Sequence, residues 1–226
     1  MDPDEAPRRF CGTAVNDAVI DVLERTRVVP VVTIDHADDA VDLATALVDG
    51  GLTAIEITLR TPAAFDAIRR IAAHVPDAIV GAGSVTSSAK AAEAIDAGAH
   101  FLVSPGLDAG VVDTAHDRGR RVIPGVATAT ELLRAANLGV DVVKIFPAAL
   151  VGGPALITAL SAVWPAIRFV PTGGVTSTTA ADYLALPQVL AVGGSWMVPK
   201  SRLDERDWSG VRNGARDAAQ LARSHS

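Results

Sequence analysis

The stretch Val142-Val143-Lys144-Ile145-Phe146-Pro147 places one amine in the middle of an apolar, β-branched run. A short run of this kind reads as a strand buried on both faces, the form strands take in parallel sheets covered by helices. The chain draws its positive charge from 17 arginines and only three lysines, Lys90, Lys144 and Lys200, yet the basic residue inside this strand is a lysine. Arginine stays charged in proteins, whereas a desolvated lysine can give up its proton and attack a carbonyl carbon. Lys144 is therefore either a buried nucleophile or a strand-end lysine that reaches solvent or pairs with a carboxylate.

The same local pattern recurs on both sides of this strand. Apolar, β-branched segments at Val28 to Ile34, Thr53 to Leu59, Ala78 to Val80, His100 to Val103, Arg121 to Ile123, Asp141 to Ile145, Arg168 to Val170 and Val189 to Val192 alternate with helical patterns. The helical patterns cover Asp38 to Asp49, Pro62 to His74, Thr86 to Ala97, Asp108 to Asp117, Thr128 to Leu138, Pro154 to Val163, Thr176 to Leu186 and Asp207 to Arg223. Eight strand–helix units predict an α/β fold, a (β/α)8 TIM barrel, and an open doubly wound sheet is the alternative. Thr13 to Arg27 adds an extra N-terminal helix before the first strand, and residues 1–12 read as a flexible tail.

At 226 residues and 49% hydrophobic composition, with no Pro/Ser/Gly-rich linker, the chain is expected to form a single domain, residues 1–226. A formal net charge of −6 leaves no basic excess for phosphate backbones, so neither a nucleic acid nor a membrane surface is expected as partner. Ala148 to Ile167 is 20 uncharged residues long, but Gly152-Gly153-Pro154 and Trp164-Pro165 interrupt it, which predicts a short helix instead of a membrane span. One cysteine, Cys11, forms no intrachain disulfide, and no export signal is evident, so a reduced, cytoplasmic setting is expected.

Active sites of (β/α)8 barrels lie at the carboxyl ends of the strands, and strand alternation says which side chains meet there. With Ile55, Ile57 and Leu59 facing outer helices, Glu56 and Thr58 point inward and Arg60 stands just past the strand end. Val142 and Lys144 share the inward phase of their own strand. An acid and an amine facing one barrel mouth predict a catalytic pair, and the competing reading is an ion pair that only fixes the barrel.

Glycine-rich turns follow the strands: Gly81-Ala82-Gly83-Ser84, Ser104-Pro105-Gly106, Pro124-Gly125, Pro171-Thr172-Gly173-Gly174 and Gly193-Gly194-Ser195. The last two stand after strands seven and eight, where barrels commonly hold phosphate on backbone amides. They contain no Lys or Arg, which points to binding through amides and the hydroxyls of Thr172 and Ser195. The histidines His36, His74, His100, His116 and His225 lack metal-ligand spacing, so no metal is expected. His100 opens a strand at the stability face and reads as structural. Gly81 to Gly83 lacks the third glycine and the acid of a dinucleotide site.

Glu56-Ile57-Thr58-Leu59-Arg60-Thr61, Gly81 to Val85, Ser104-Pro105-Gly106, Val143 to Pro147, Pro171 to Gly174 and Gly193 to Trp196 together resemble the 2-keto-3-deoxy-6-phosphogluconate (KDPG) aldolases, in order, from about Val28 to Pro199. The resemblance implies a cofactor-free class I aldolase of the Entner-Doudoroff pathway, a homotrimer. Such an enzyme cleaves 2-dehydro-3-deoxy-6-phosphogluconate, a keto-acid phosphate, to pyruvate and glyceraldehyde 3-phosphate, and in many members also cleaves 4-hydroxy-2-oxoglutarate.

By the same resemblance, Lys144 is the Schiff-base lysine and Glu56 the acid/base, while Arg60 and Ser84 bind the pyruvyl carboxylate. Thr172, Gly173, Gly174, Gly194 and Ser195 surround the phosphate end, and Phe146 and Pro105 line the pocket. Three positions depart from the family pattern. Ser84 replaces the usual threonine, Thr33 stands where one branch carries arginine, and Ala149 stands where many members place glutamate. A barrel that binds a phosphate ligand without chemistry, and an aldolase for the galactonate epimer, are the alternatives.

Overall fold

The computed structural model describes residues 14–224. Cys11, His225 and the predicted tail, residues 1–12, lie outside the described residues. Helix α1 (Ala14–Thr26) precedes strand β1 (Val28–Val32), α2 (Ala40–Asp49), β2 (Ala54–Thr58), α3 (Ala64–His74), β3 (Ile79–Gly83), α4 (Ser88–Asp96), β4 (Phe101–Val103) and α5 (Ala109–Asp117). Then come β5 (Arg121–Ile123), β6 (Gly125–Val126), α6 (Ala129–Asn137), β7 (Val142–Ile145), α7 (Gly153–Val163), β8 (Arg168–Pro171), α8 (Ala180–Leu184), β9 (Val192–Gly194), α9 (Lys200–Asp204) and α10 (Trp208–Arg223).

All ladders are parallel, in a curled six-stranded sheet of order β5-β4-β3-β2-β1-β9 and a three-stranded sheet of order β6-β7-β8. The fifth strand stands as expected at Arg121–Ile123, and an unexpected short strand, Gly125–Val126, follows it after Pro124, which has no N–H to give to a ladder. Its carbonyl still accepts the Lys144 amide at 2.9 Å. At the other junction Thr172 bridges Gly193 in parallel, and the Leu190 amide donates to Phe169 O at 2.9 Å.

Strand alternation sorts the apolar side chains into two cores. Ile55, Ile57, Val143 and Ile145 pack outward against the helices, whereas Val29, Ala54, Phe101, Ile123, Val142 and Val170 fill the inside of the curve. Val19, Val22 and Leu23 of α1 belong to the inner core, so the extra helix packs directly against it. Several strand-to-helix loops end in side-chain caps. Ser87 accepts from the Lys90 amide, Asp108 from Val111, and Thr128 from Glu131, whose carboxylate returns to the Ala127 amide at 2.8 Å. That amide hydrogen bond holds the Glu131 carboxyl below its ordinary range.

Most boundaries shift by one to three residues from the sequence expectation, and the larger differences lie toward the C-terminus. The last strand is Val192–Gly194 in place of Val189 to Val192, the helix expected over Thr176 to Leu186 shrinks to Ala180–Leu184, and α9 was not anticipated. The 20-residue uncharged stretch holds the 11-residue helix α7, and among the described residues no helix is long and apolar enough to cross a membrane.

His100, at the start of β4, is half-buried, and desolvation pushes its imidazole below the ordinary value, outweighing a backbone hydrogen bond to Val80 that favours the charged form. With the folded value depressed, the unfolded chain takes up the proton first as pH falls below about 6.5. Stability is therefore whole above that pH and is lost as pH falls through the folded value. Urea midpoints measured between pH 7.5 and 5.5 should decline, and His100→Gln should flatten the decline. An unchanged slope would show that this imidazole has no part in it.

Candidate active site

Glu56 sits on β2 opposite Val31 of β1 and Gly81 of β3, and Lys144 sits on β7 opposite Gly125 and Val170. Both reach into the space enclosed by the strands. Lys144 Nζ lies 3.4 Å from Glu56 Oε1, with residue exposures of 5% and 3%. At that burial neither charge has water to solvate it, so the pair is costly unless it has a use. The Phe146 ring covers the amine, its centroid 5.2 Å from Nζ.

Glycines make room for this pair. A Cβ on Gly83 would fall on the Glu56 carboxylate, one on Gly81 on the Phe101 ring, and one on Gly193 on the Thr172 hydroxyl. Gly81, Gly83, Gly193 and Gly194 are thus strand residues and not the strand-end turns expected from the sequence. They are glycine because a neighbouring side chain, Phe101, Glu56, Thr172 or Trp196 in turn, occupies the place of the missing Cβ. Gly83→Ala should therefore cost about 1–3 kcal/mol through overpacking and push Glu56 off its position. Denaturant unfolding and a turnover assay read the two effects, and a variant of unchanged stability and activity would contradict this account of the site.

Gly173 and Gly174 are different. Their φ angles of 92° and 79° lie in the left-handed region that glycine occupies freely. Phe146 and Pro147 press on Gly173 and Ala149 on Gly174, while Ala148 N and Ala149 N donate to Thr172 O and Gly173 O at 2.8 and 3.0 Å. The loops after β7 and β8 are thereby locked together beside Lys144. Ser84 is also left-handed, with φ 57°, which costs about 1–2 kcal/mol for a residue with a Cβ. In that conformation its Oγ accepts from Arg60 Nε at 3.1 Å.

A cavity of about 470 Å³ opens at the carboxyl ends of the strands, with Lys144 and Arg60 on its wall. Of the residues expected there, Phe146, Thr172, Gly173, Gly174, Gly194 and Ser195 line it as well. Glu56 lies behind Lys144, and Ser84 reaches the cavity through Arg60. Pro105 is exposed and outside the lining; its carbonyl packs over Gly125 beside the lysine strand. Val31, Leu150 and Val175 line the cavity without having been singled out. Val31 shares the inward phase of Val29, a signal present in the sequence, whereas Leu150, 84% exposed, carries none.

A second depression of about 320 Å³ contains Lys200, bonded to Asp35 and Asp204 at 2.8 Å each. The hydrogen bonds to Asp204 and Asp35 push the Lys200 ammonium well above its ordinary value. That amine is exposed and held protonated, so among the three lysines Lys144 alone is buried against a carboxylate and open to a cavity.

Fold and site define a parallel α/β protein with an amine, backed by a buried carboxylate, on the wall of a glycine-lined cavity. Residues 19–213 match the family model described as KDPG and KHG aldolase. The chain is 47% identical over 193 residues, 85% of this chain and 92% of the relative, to the 2-dehydro-3-deoxy-phosphogluconate aldolase of Treponema pallidum. Among solved structures it is similar to the KDPG aldolase of Zymomonas mobilis ZM4 with 3-phosphoglycerate, at TM-score 0.84 and 40% identity, covering 89% of this chain and 95% of that one. It is equally similar in fold, at TM-score 0.84 and 37% identity over 87% and 96% of the two chains, to the Legionella pneumophila KDPG aldolase with pyruvate captured as a covalent carbinolamine. The chain belongs to the KDPG and KHG aldolase family.

Proposed function

We propose the following reading of the site. The chain is a carbon–carbon lyase, a class I aldolase that cleaves 2-dehydro-3-deoxy-6-phosphogluconate to pyruvate and glyceraldehyde 3-phosphate, with 4-hydroxy-2-oxoglutarate as a second substrate. The observation that carries it is the Lys144 amine on the wall of an open cavity, buried and 3.4 Å from the Glu56 carboxylate behind it. A carbinolamine of the kind captured in the Legionella relative needs such an amine. A barrel that only bound phosphate would have no use for a desolvated amine and carboxylate, so that alternative is not favoured.

In this mechanism the neutral Lys144 amine adds to the C2 ketone, Glu56 relays a proton to the carbinolamine hydroxyl, and water leaves to give a protonated imine. Glu56, directly or through a water, then removes the C4 hydroxyl proton. The bond between C3 and C4 breaks, its electron pair enters an enamine, and glyceraldehyde 3-phosphate departs. Protonation of the enamine carbon and hydrolysis of the imine return pyruvate and the free amine. Arg60, its Nε engaged by Ser84, offers its terminal nitrogens to the substrate carboxylate and so aims the ketone at Lys144. The amides of Gly173, Gly174 and Gly194 and the hydroxyls of Thr172 and Ser195 hold the phosphate end, with Phe146 covering the amine and Pro105 close to the lysine strand.

The two sheets are read as one closed (β/α)8 barrel domain, joined through Pro124 and through the Thr172–Gly193 bridge, and the family resemblance extends the reading to a homotrimer. The deciding assay follows pyruvate and glyceraldehyde 3-phosphate release from the gluconate substrate, its galactonate epimer and 4-hydroxy-2-oxoglutarate. Preference for the gluconate form is expected. Preference for the galactonate form would reassign the substrate, and binding without cleavage would remove the enzyme reading.

A further inference from the structure

Trp196 takes no part in the mechanism above, yet its ring supports the wall of the cavity. Gly194 ends β9 in register with Pro30 of β1, and with the exposed Ser195 it lines the cavity that Lys144 opens into. A Cβ on Gly194 would fall on Cζ3 and Cε3 of the Trp196 indole, so the ring rests directly on the glycine backbone. Strand alternation gives that side to the outer core. The missing Cβ of Gly193 meets Thr172, and that of Gly194 faces the other way, where Trp196 packs against the outer apolar cluster. Behind the ring, Met197 is fully buried and Gly214 of α10 closes on its carbonyl, while the Ser195 carbonyl accepts the Val198 amide at 3.0 Å.

Among the described residues that line the cavity only Lys144 and Arg60 carry a positive charge, and the aldolase reading uses both at the keto-acid end. An anion at the other end has amides and hydroxyls alone to hold it. Such donors act only when well aimed, because a hydrogen bond weakens steeply as its angle falls. Gly194 has no side chain to fix its own backbone, and glycine is the residue with the most freedom to turn. The indole supplies that fixation from behind.

We infer that Trp196 is a positioning residue for the phosphate end of the substrate: wedged between the outer core and Gly194, its ring aims the Gly194–Ser195 turn at the phosphate. The inference rests on the aldolase reading and on the phosphate standing at that turn. Trp196 acts through Gly194 and does not itself meet the substrate. Loss of the ring therefore weakens the grip on a phosphorylated aldehyde and leaves the chemistry at Lys144 as it was.

The test runs the reaction in the direction of synthesis, with pyruvate and either glyceraldehyde 3-phosphate or glyceraldehyde, which differ only in the phosphate. Trp196→Leu keeps an apolar side chain on the outer core but takes the ring off Gly194. It should raise KM for the phosphorylated aldehyde about tenfold, the worth of one hydrogen bond to a charged group, with kcat and the rate on glyceraldehyde nearly unchanged. Trp196→Phe, which returns a six-membered ring, should recover most of the loss. A second measurement leaves Trp196 in place. With Trp164→Phe and Trp208→Phe it is the last of the three tryptophans, and its emission should change on titration with inorganic phosphate. Equal losses on both aldehydes, no loss on the phosphorylated one, or an emission untouched by phosphate each overturn the inference and leave the aldolase reading standing. A wild-type chain that joins pyruvate to neither aldehyde overturns both.

Discussion

Lys144→Arg should reduce cleavage of the six-carbon substrate by about 10⁴-fold or more, the scale on which loss of a covalent nucleophile is felt. Arginine keeps a cation against Glu56, so the buried carboxylate is not left alone and the fold should survive. Its guanidinium does not deprotonate and forms no imine. Lys144→Ala is the poorer experiment, because stranding Glu56 without a partner costs about 3–5 kcal/mol and confuses stability with chemistry. Steady-state turnover together with a melting curve separates the two, and a folded arginine variant with ordinary turnover would falsify the covalent mechanism.

The second large effect belongs to the carboxylate. Glu56→Gln preserves shape and burial but cannot take a proton, and kcat should fall about 10²–10⁴-fold, the range of general acid–base catalysis. Because Lys144 is intact, pyruvate should still be captured as an imine, only more slowly. KM should move little, since carboxylate binding rests on Arg60 and Ser84, which are hydrogen-bonded to one another. A Glu56→Gln enzyme within about threefold of wild-type turnover would shift the proton transfers to another group.

The parts of the site that sequence reveals are those governed by strand alternation. Placing Glu56 and Thr58 on one phase, and Val142 and Lys144 on another, needs only the period of two, and the inner and outer cores follow it residue by residue. Glycines were read less well, because a glycine required for a left-handed φ and a glycine required by a neighbour's side chain look alike in a sequence. Gly173 and Gly174 are the first kind; Gly81, Gly83, Gly193 and Gly194 make room for Phe101, Glu56, Thr172 and Trp196. Leu150 was missed because it stands in a loop, where no periodicity says which way a side chain points. The interruption at Pro124 was visible as a residue but not as a break between sheets, since the strand resumes immediately after it. Thr33 registered only as a departure from the family pattern. Its hydroxyl lies 2.8 Å from that of Thr58, a contact that depends on the register of β1 against β2, which sequence does not specify.

The central claim is that one buried amine forms a covalent bond with the keto carbon. Incubation with pyruvate and borohydride, followed by proteolysis and mass spectrometry, tests it most directly. The account predicts a single reduced pyruvyl adduct on the peptide that carries Lys144, dependent on pyruvate and accompanied by loss of activity. An unmodified Lys144 peptide after complete inactivation, or the adduct on Lys90 or Lys200, would contradict it.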